Sequence, residues 1–277
     1  MSEETLFYQE EPAGEVLQQV ASQLRLSLAN IHSALSRLAP PEARDGEERV
    51  DLNAAVLCQS YYRILRIANN LADASEPPRR AGKGLRNEDI VALCREVAGR
   101  AEGPAGLLGI TVEFRCSKER QFIAVDRDRI ERLLLNLLSN AFKFMGAGEK
   151  KVTVTVRVEP EFVHVTVADT GRGIPEDQLP TLFERCRQPG RMEPPPHGLG
   201  LGLGVCKRIA EEHGGSMRPL SVAGKGTAMT FSLPNRKAPV SMKDRQILVE
   251  PAGGFNRTLV ELSDALPKQA FTQKYLD

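Results

Sequence analysis

Apolar residues return at Val16, Val20, Leu24, Leu28, Ile31, Leu35 and Leu38, in steps of four, four, four, three, four and three. That spacing draws one apolar stripe along a helix over 14–38. The proline-rich, charged stretch 39–49 (APPEARDGEER) interrupts it. Residues 51–74 then resume the pattern with Leu57, Ile64, Ala68 and Leu71, and Asp51 stands where an N-cap is expected. Two long helices with a short connection predict an antiparallel hairpin. One hairpin buries little apolar surface, so its stripe is expected to pair with a second copy. Residues 1–76 would then make a homodimer as a four-helix bundle. The alternative is that the hairpin packs on the rest of its own chain.

Residues 77–86 (PPRRAGKGLR) read as a linker. Beyond them the element types alternate. Asp89–Val97 reads as a helix, and Ile110–Phe114 and Phe122–Val125 as short strands. Asp126–Phe144 is a strong helix with Ile130, Leu133, Leu134, Leu137, Leu138 and Ala141 along one side. Lys151–Val158 and Phe162–Ala168 alternate at period two and predict neighbouring strands. A glycine- and proline-rich stretch fills 170–198, a helix spans Leu201–His213, and strands are expected near 216–221 and 227–233. The simplest arrangement is an α/β fold, a mixed sheet with helices on one face. Residues 235–277 lie outside this plan and receive no role.

Composition narrows the class. Hydrophobic residues at 41% and charged residues at 26% exclude wholesale disorder. The net charge of +1 offers no basic field for nucleic acid or an anionic membrane. No apolar run approaches the roughly 18–20 residues of a membrane span. The acidic start, MSEETLFYQEEPAGE, lacks the basic and apolar regions of a signal peptide. The five cysteines are odd in number and never closer than 20 residues. They form neither a CxxC motif nor a regular disulfide framework. A reduced, cytoplasmic chain is the expectation.

Four segments carry candidate chemistry. In Asn136-Leu-Leu-Ser-Asn140-Ala-Phe-Lys143-Phe144, the residues Asn136, Asn140 and Lys143 fall at i, i+4 and i+7, on one side of a helix. Amide oxygens suit a hard cation such as Mg²⁺, and a nearby lysine suits phosphate; a solvated polar stripe is the plainer alternative. Asp169-Thr-Gly171-Arg-Gly173-Ile-Pro175 follows a strand. There a carboxylate could accept from an exocyclic amine beside backbone that approaches closely, or the segment could be an ordinary turn. In Gly198-Leu-Gly200-Leu-Gly202-Leu-Gly204 alternating glycines enter a helix, leaving amide hydrogens free to meet an anion. The spacing matches neither GxGxxG nor GxxxxGK[ST]. Gly224-Lys-Gly226-Thr227 precedes the final strand and by itself reads as a hairpin turn.

In this order and spacing the four segments resemble the N, G1, G2 and G3 boxes of the histidine-kinase branch of the gyrase, Hsp90, histidine kinase and MutL ATPase superfamily. The resemblance covers about residues 87–234, with Leu182-Phe183-Glu184-Arg185 similar to the F box. Tyr61–Glu76 looks like the second helix of the family's dimerisation hairpin. The resemblance implies a Bergerat-type α/β sandwich binding ATP with Mg²⁺. Asn140 would be the Mg²⁺ ligand. Asn136 would occupy the position of the gyrase branch's glutamate base, and Lys143 would meet phosphate. Asp169 would hold the adenine amino group, with Gly171 and Gly173 shaping the pocket. Gly200, Leu201, Gly202 and Leu203 would line the phosphates, and Thr227 would close the base pocket. The 184–198 stretch, with Arg185, Arg187 and Arg191, stands where the family has its ATP lid.

Three departures bear on function. Phe144 replaces the usual tyrosine, and Cys186 an F-box phenylalanine. In helix 1, Ser22-Gln23-Leu24-Arg25-Leu26-Ser27-Leu28 aligns with the family's phosphoacceptor segment, but its histidine is Ser22 and the neighbouring acid is Gln23. A serine hydroxyl beside an amide is not a competent nucleophile near neutral pH. His32 lies roughly 15 Å further along the helix, and His164, His197 and His213 read as structural. The expected function is therefore the ATP-binding core of a sensor histidine kinase, with a response regulator as partner. The alternatives are a non-phosphorylating dimeric regulatory module and an anti-sigma-type serine kinase.

Overall fold

The computed structural model describes residues 11–40, 43–44, 47–75, 84–183, 201–239 and 256–276. Two 28-residue helices, α1 (Glu11–Leu38) and α2 (Glu48–Ser75), pack side by side as a hairpin. Their apolar residues do not form a single buried stripe. Ala21, Leu28 and Leu35, two turns apart on α1, are buried with Ala54, Cys58, Tyr61, Leu65 and Ala68 of α2. Val20, Ile31, Leu38, Leu57 and Ile64 remain exposed. Asp51 does not cap α2, which starts at Glu48. One turn into the helix, its carboxylate accepts instead from Arg44 at 2.8 Å and from the backbone N–H of Gln273 at 3.0 Å.

The α/β layer follows in the order β1 (Arg86–Asp89), α3 (Ile90–Gly106), β2 (Thr111–Cys116), β3 (Phe122–Val125) and α4 (Arg127–Lys143). It continues through β4 (Lys151–Val158), β5 (Phe162–Asp169), α5 (Leu201–Glu212), β6 (Ser216–Val222) and β7 (Gly226–Pro234). β1 pairs with β3 in a small antiparallel sheet that the sequence reading missed. Its residues, Arg-Asn-Glu-Asp, show no apolar alternation to signal a strand. Asp89, expected inside a helix, ends β1 and caps α3 by accepting from the N–H groups of Val91 and Ala92.

The main sheet has the order β2-β4-β5-β7-β6, parallel at β2/β4 and antiparallel elsewhere. Alternation decides its faces. Val152, Val154 and Val156, Val163, Val165 and Val167, and Met229, Phe231 and Leu233 are buried on the side covered by α3, α4 and α5. The threonines between them are half-buried, and Thr166 and Thr230 join hydroxyls at 2.8 Å across β5 and β7. This is the α/β sandwich expected from the sequence, preceded by the helical hairpin.

Residues 256–276, which had no place in that plan, are part of the fold. Asn256 caps α6 (Arg257–Leu262), a 3₁₀ turn follows at Lys268–Phe271, and α7 (Gln273–Leu276) closes the segment. Leu259, Leu262, Leu266 and Phe271 are buried against α2 and α4, the Phe271 ring lying 5.6 Å from that of Tyr62.

His213, just beyond α5, staples that helix to the start of α4. Its Nε2 accepts the backbone N–H of Asp126, the α4 N-cap, at 3.0 Å. Its Nδ1 therefore carries the proton and donates to the Ile209 carbonyl at 2.7 Å. A second proton would remove the acceptor, and burial already lowers the imidazole's pKa. Because the folded value lies below the unfolded one, stability is lost as pH falls from about 6.5, where the unfolded chain takes the proton first. His32, also lowered by burial, adds to the same window. His213→Ala is expected to lower the unfolding free energy at pH 7.5 by about 1–3 kcal/mol. It should also flatten the stability difference between pH 7.5 and 5.5 in urea titrations; an unchanged difference would mean that the fold does not hold this imidazole neutral.

Candidate functional site

Two clusters of side chains meet α4, one at its C-terminal end and one along its polar face. The first is organised by Asp169, the last residue of β5, which sits opposite Thr227 of β7 in the sheet register. Its Oδ1 accepts from the N–H of Gly171 at 2.8 Å and of Thr227 at 3.2 Å, so a single oxygen ties together the two glycine-containing turns. Oδ2 has no hydrogen-bond partner among the described residues. Burial raises the carboxyl's pKa, with the two N–H bonds pulling the other way.

Ser221 of β6 joins the same cluster, and nothing in its sequence neighbourhood pointed to it. Its hydroxyl donates to the Gly226 carbonyl at 2.9 Å, meets the Thr227 hydroxyl at 2.9 Å and accepts from the Ile174 N–H at 2.8 Å. Gly173 crosses this strand with φ +68°, and a Cβ there would stand 2.1 Å from the Val222 carbonyl oxygen. Both its conformation and its crowding demand glycine. Phe144, at the end of α4, accepts the Arg172 N–H at 3.0 Å through its carbonyl, and the Arg172 guanidinium lies 4.6 Å over its ring. The aromatic ring retained at this position thus forms one wall of the turn.

The second cluster surrounds Asn136, which is 0% exposed. The plain reading of α4 as a helix with a solvated polar stripe fails here. The Asn136 amide donates to the Arg132 carbonyl at 3.1 Å and to Glu261 at 3.2 Å, and its oxygen accepts from Arg66 of α2 at 2.9 Å. Arg66 also reaches Ser139 at 3.1 Å and Asp264 at 2.9 Å. Lys143 donates to the same Asp264 oxygen at 2.9 Å. Burial lowers the lysine's pKa, Arg66 adds to that, and Asp264 opposes it. For Asp264, burial acts upward, but Arg66 and Lys143 outweigh it and hold the carboxyl below its ordinary range. Glu261, 3% exposed, lies between Arg66 and Arg132, and Arg132 pairs in turn with Asp73 of α2.

Gly202, on the first turn of α5, backs onto this cluster so closely that a Cβ would lie 2.9 Å from Asn136 Oδ1. Leu203 beside it is half-buried, and Leu201 opens α5. Asn140, one turn beyond Asn136, is half-buried, with no side-chain partner among the described residues. Asp169, Gly171, Gly173 and Thr227 are therefore gathered in one place, and Asn136, Lys143 and Gly202 in another along the same helix. Gly200, the lid stretch 184–198 with its arginines, Cys186 and His197 lie outside the described residues. So does the second half of the F-box segment; Phe183 is described, its ring 5.5 Å from Lys207 Nζ.

Arg66, Glu261 and Asp264 were missed by sequence reasoning. Each is an ordinary charged residue in its own segment, and only the packing of α2 and 256–276 on α4 brings them together. The phosphoacceptor candidates are placed plainly. Ser22 and Gln23 are exposed on α1, His32 packs its ring 4.9 Å from that of Tyr61, and His164 of β5 lies 3.4 Å from Glu159.

Residues 125–237 match the family model described as histidine kinase-, DNA gyrase B-, and HSP90-like ATPase. Hybrid signal transduction histidine kinase D of Dictyostelium discoideum is 30% identical over 230 residues, 78% of this chain and 14% of that protein. Sensor protein SrrB of Staphylococcus aureus is 30% identical over 197 residues, 68% of this chain and 32% of its own length. The chain thus spans a third or less of these curated relatives. Among solved structures, full-length ShkA in complex with AMPPNP superposes with a TM-score of 0.64 at 26% identity, covering 82% of this chain and 47% of that one. Histidine kinase ThkA in complex with the response regulator TrrA shares the fold, with a TM-score of 0.51 at 24% identity over 80% of this chain and 61% of that one.

Proposed function

Because the chain belongs to the histidine-kinase branch of the gyrase, Hsp90, histidine kinase and MutL ATPase superfamily, we propose that residues 87–234 are a Bergerat-type domain binding Mg-ATP. In this reading residues 1–76 are a dimerisation hairpin joined to it by the linker 77–86, and the whole is the cytoplasmic core of a sensor kinase. One observation carries the nucleotide reading: the half-buried Asp169 carboxylate spends one oxygen on backbone and leaves Oδ2 to accept from an exocyclic amine. The AMPPNP bound by ShkA is consistent with it.

The residues present suit the group. Mg²⁺ keeps several waters and phosphate oxygens and needs few protein ligands, and the Asn140 amide oxygen is a hard donor of that kind. Bound Mg-ATP supplies an electrophilic γ-phosphorus. Asp169 orients the base, Gly171 and Gly173 let the turn approach it, and Thr227 closes the pocket beside Ser221. Gly200, Leu201, Gly202 and Leu203 are assigned to the phosphates, whose charge suits the N–H groups of the first turn of α5. Lys143 balances their charge. Asn136 holds position rather than a proton, since an amide has no basic lone pair in the neutral range.

The hairpin's exposed Val20, Ile31, Leu38, Leu57 and Ile64 form the contact with a second copy. A response regulator is the proposed partner. Its signal would come from this core by phosphotransfer, unless the exposed Ser22 and Gln23 mark a module that binds ATP and regulates without phosphorylation. That second reading rests on those two side chains alone. The hairpin argues against the third, an anti-sigma-type serine kinase. Among the described residues no helix is long and apolar enough to cross a membrane.

Asp169→Asn is expected to weaken Mg-ATP binding by about two orders of magnitude in calorimetry, because the new amide offers a donor where an acceptor is required. Equal affinity would remove the adenine assignment. Light scattering at micromolar concentration should give about twice the 30.4 kDa chain mass, and a monomer throughout would reject the hairpin dimer. Incubation with γ-labelled ATP should leave no acid-labile, base-stable phosphate on the native chain. Ser22→His with Gln23→Glu should acquire it. Such label on the native chain, mapped to His32 or another histidine, would show that Ser22 does not occupy the acceptor position.

A further inference from the structure

The segment 256–276 has no role legible in its sequence, yet its Asp264 carboxylate occupies Lys143, the donor assigned above to the phosphates, and its Glu261 carboxylate occupies the Asn136 amide on the same helix. Glu261 and Asp264 stand one turn apart and approach the polar face of α4 together. Glu261 accepts from the Asn136 amide at 3.2 Å, and Asp264 accepts from Lys143 at 2.9 Å. A carboxylate oxygen held this way has the charge and acceptor geometry of a phosphate oxygen. The docking that puts them there is built rather than incidental. Leu259, Leu262, Leu266 and Phe271 are buried, and the backbone carbonyls of Ser263, Leu266 and Phe271 accept from Arg63, Gln59 and Arg44 of the hairpin side.

We propose that residues 256–276 are a latch docked in the groove between α2 and α4, and that latch docking and Mg-ATP binding exclude one another. The inference rests on the nucleotide reading of the preceding subsection. Lys143 is largely enclosed, so its ammonium cannot take a polyphosphate while it remains paired with Asp264. Two carboxylates beside the same site would also repel the triphosphate at short range. The coupling is reciprocal: whatever releases the latch raises nucleotide affinity, and nucleotide loosens the latch by the same factor. Since the latch also holds Arg66 and Arg63 of α2, nucleotide entry loosens the grip between the ATP domain and its hairpin. Nucleotide would thus control how the two halves move relative to each other.

The test uses the full chain. Glu261→Gln with Asp264→Asn keeps the shape of the latch and removes both charges, and Mg-ATP affinity is measured by calorimetry for this variant and the native chain. In parallel, amide hydrogen exchange across 256–276 is followed in the native chain with and without saturating Mg-ATP. The expected result is about tenfold tighter binding by the variant, together with faster exchange in 256–276 of the native chain when Mg-ATP is added. Equal or weaker binding by the variant overturns the latch while leaving the nucleotide site standing. Tighter binding without any change in exchange also overturns it, since the gain would then come from charge alone. Binding by neither chain removes the nucleotide reading and the latch with it.

Discussion

A guanidinium held away from water needs acceptors, and Arg66, 4% exposed on α2, obtains them from two other stretches of chain. Ser139 and Asn136 come from α4, and Asp264 and Glu261 from the segment near the C-terminus. Removing one partner from such a group leaves an uncompensated charge at a cost of about 3–5 kcal/mol. The hairpin, the ATPase-type layer and the final segment therefore meet at this side chain. Arg132 repeats the device on a smaller scale, bridging Asp73 of the hairpin to Glu261. Apolar burial brings these surfaces together, but it is not directional. The charges set how they sit.

The cluster at Asp169 is built on another principle. It uses backbone N–H groups and small hydroxyls, placed by the register of β5, β6 and β7 rather than by long side chains. Sheet pairing at Asp169 and Thr227 leaves few ways for the two turns to close. Ser221 links Gly226, Thr227 and Ile174 through one oxygen. Groups placed by sheet register in this way need little reordering to receive a partner. The polar face of α4 is the opposite case. Asn136 and Lys143 there are already occupied, and a ligand that uses them must displace a partner supplied by the chain itself.

The hairpin sets a contrast of its own. Helix α1 keeps the leucines and arginine of a phosphoacceptor segment, yet the position that needs an imidazole and a carboxylate carries a hydroxyl and an amide. Of the described histidines, His213 is committed to the α4 N-cap and His32 is packed against Tyr61. On the proposed alignment, the histidine-kinase ATPase fold is paired with an acceptor position that carries neither imidazole nor carboxylate. Packing tolerates that exchange, because Ser22 and Gln23 are exposed and support nothing beneath them.

Local pattern was enough to place the long helices and the strands of the main sheet, since period-two alternation in 151–158 and 162–168 and the leucine spacing of 126–144 reflect burial directly. It was also enough for the family resemblance, because glycines, Asp169 and Asn136 occur at spacings few other folds require. It failed where the signal is short or shared between distant parts. The strand Arg86–Asp89 has no alternation, and Asp51 has the form of a cap but serves Arg44 and Gln273. Residues 256–276 carry an amphipathic pattern too brief to place. That Asn136 is sealed rather than solvated, and that Lys143 meets a carboxylate of its own chain, follows from long-range packing between segments some 120–200 residues apart. Sequence by itself determines the local periodicity and the chemistry each side chain can offer. Only tertiary structure decides which of those offers are already taken, because a charge buried by folding must pair with whatever the fold brings within reach.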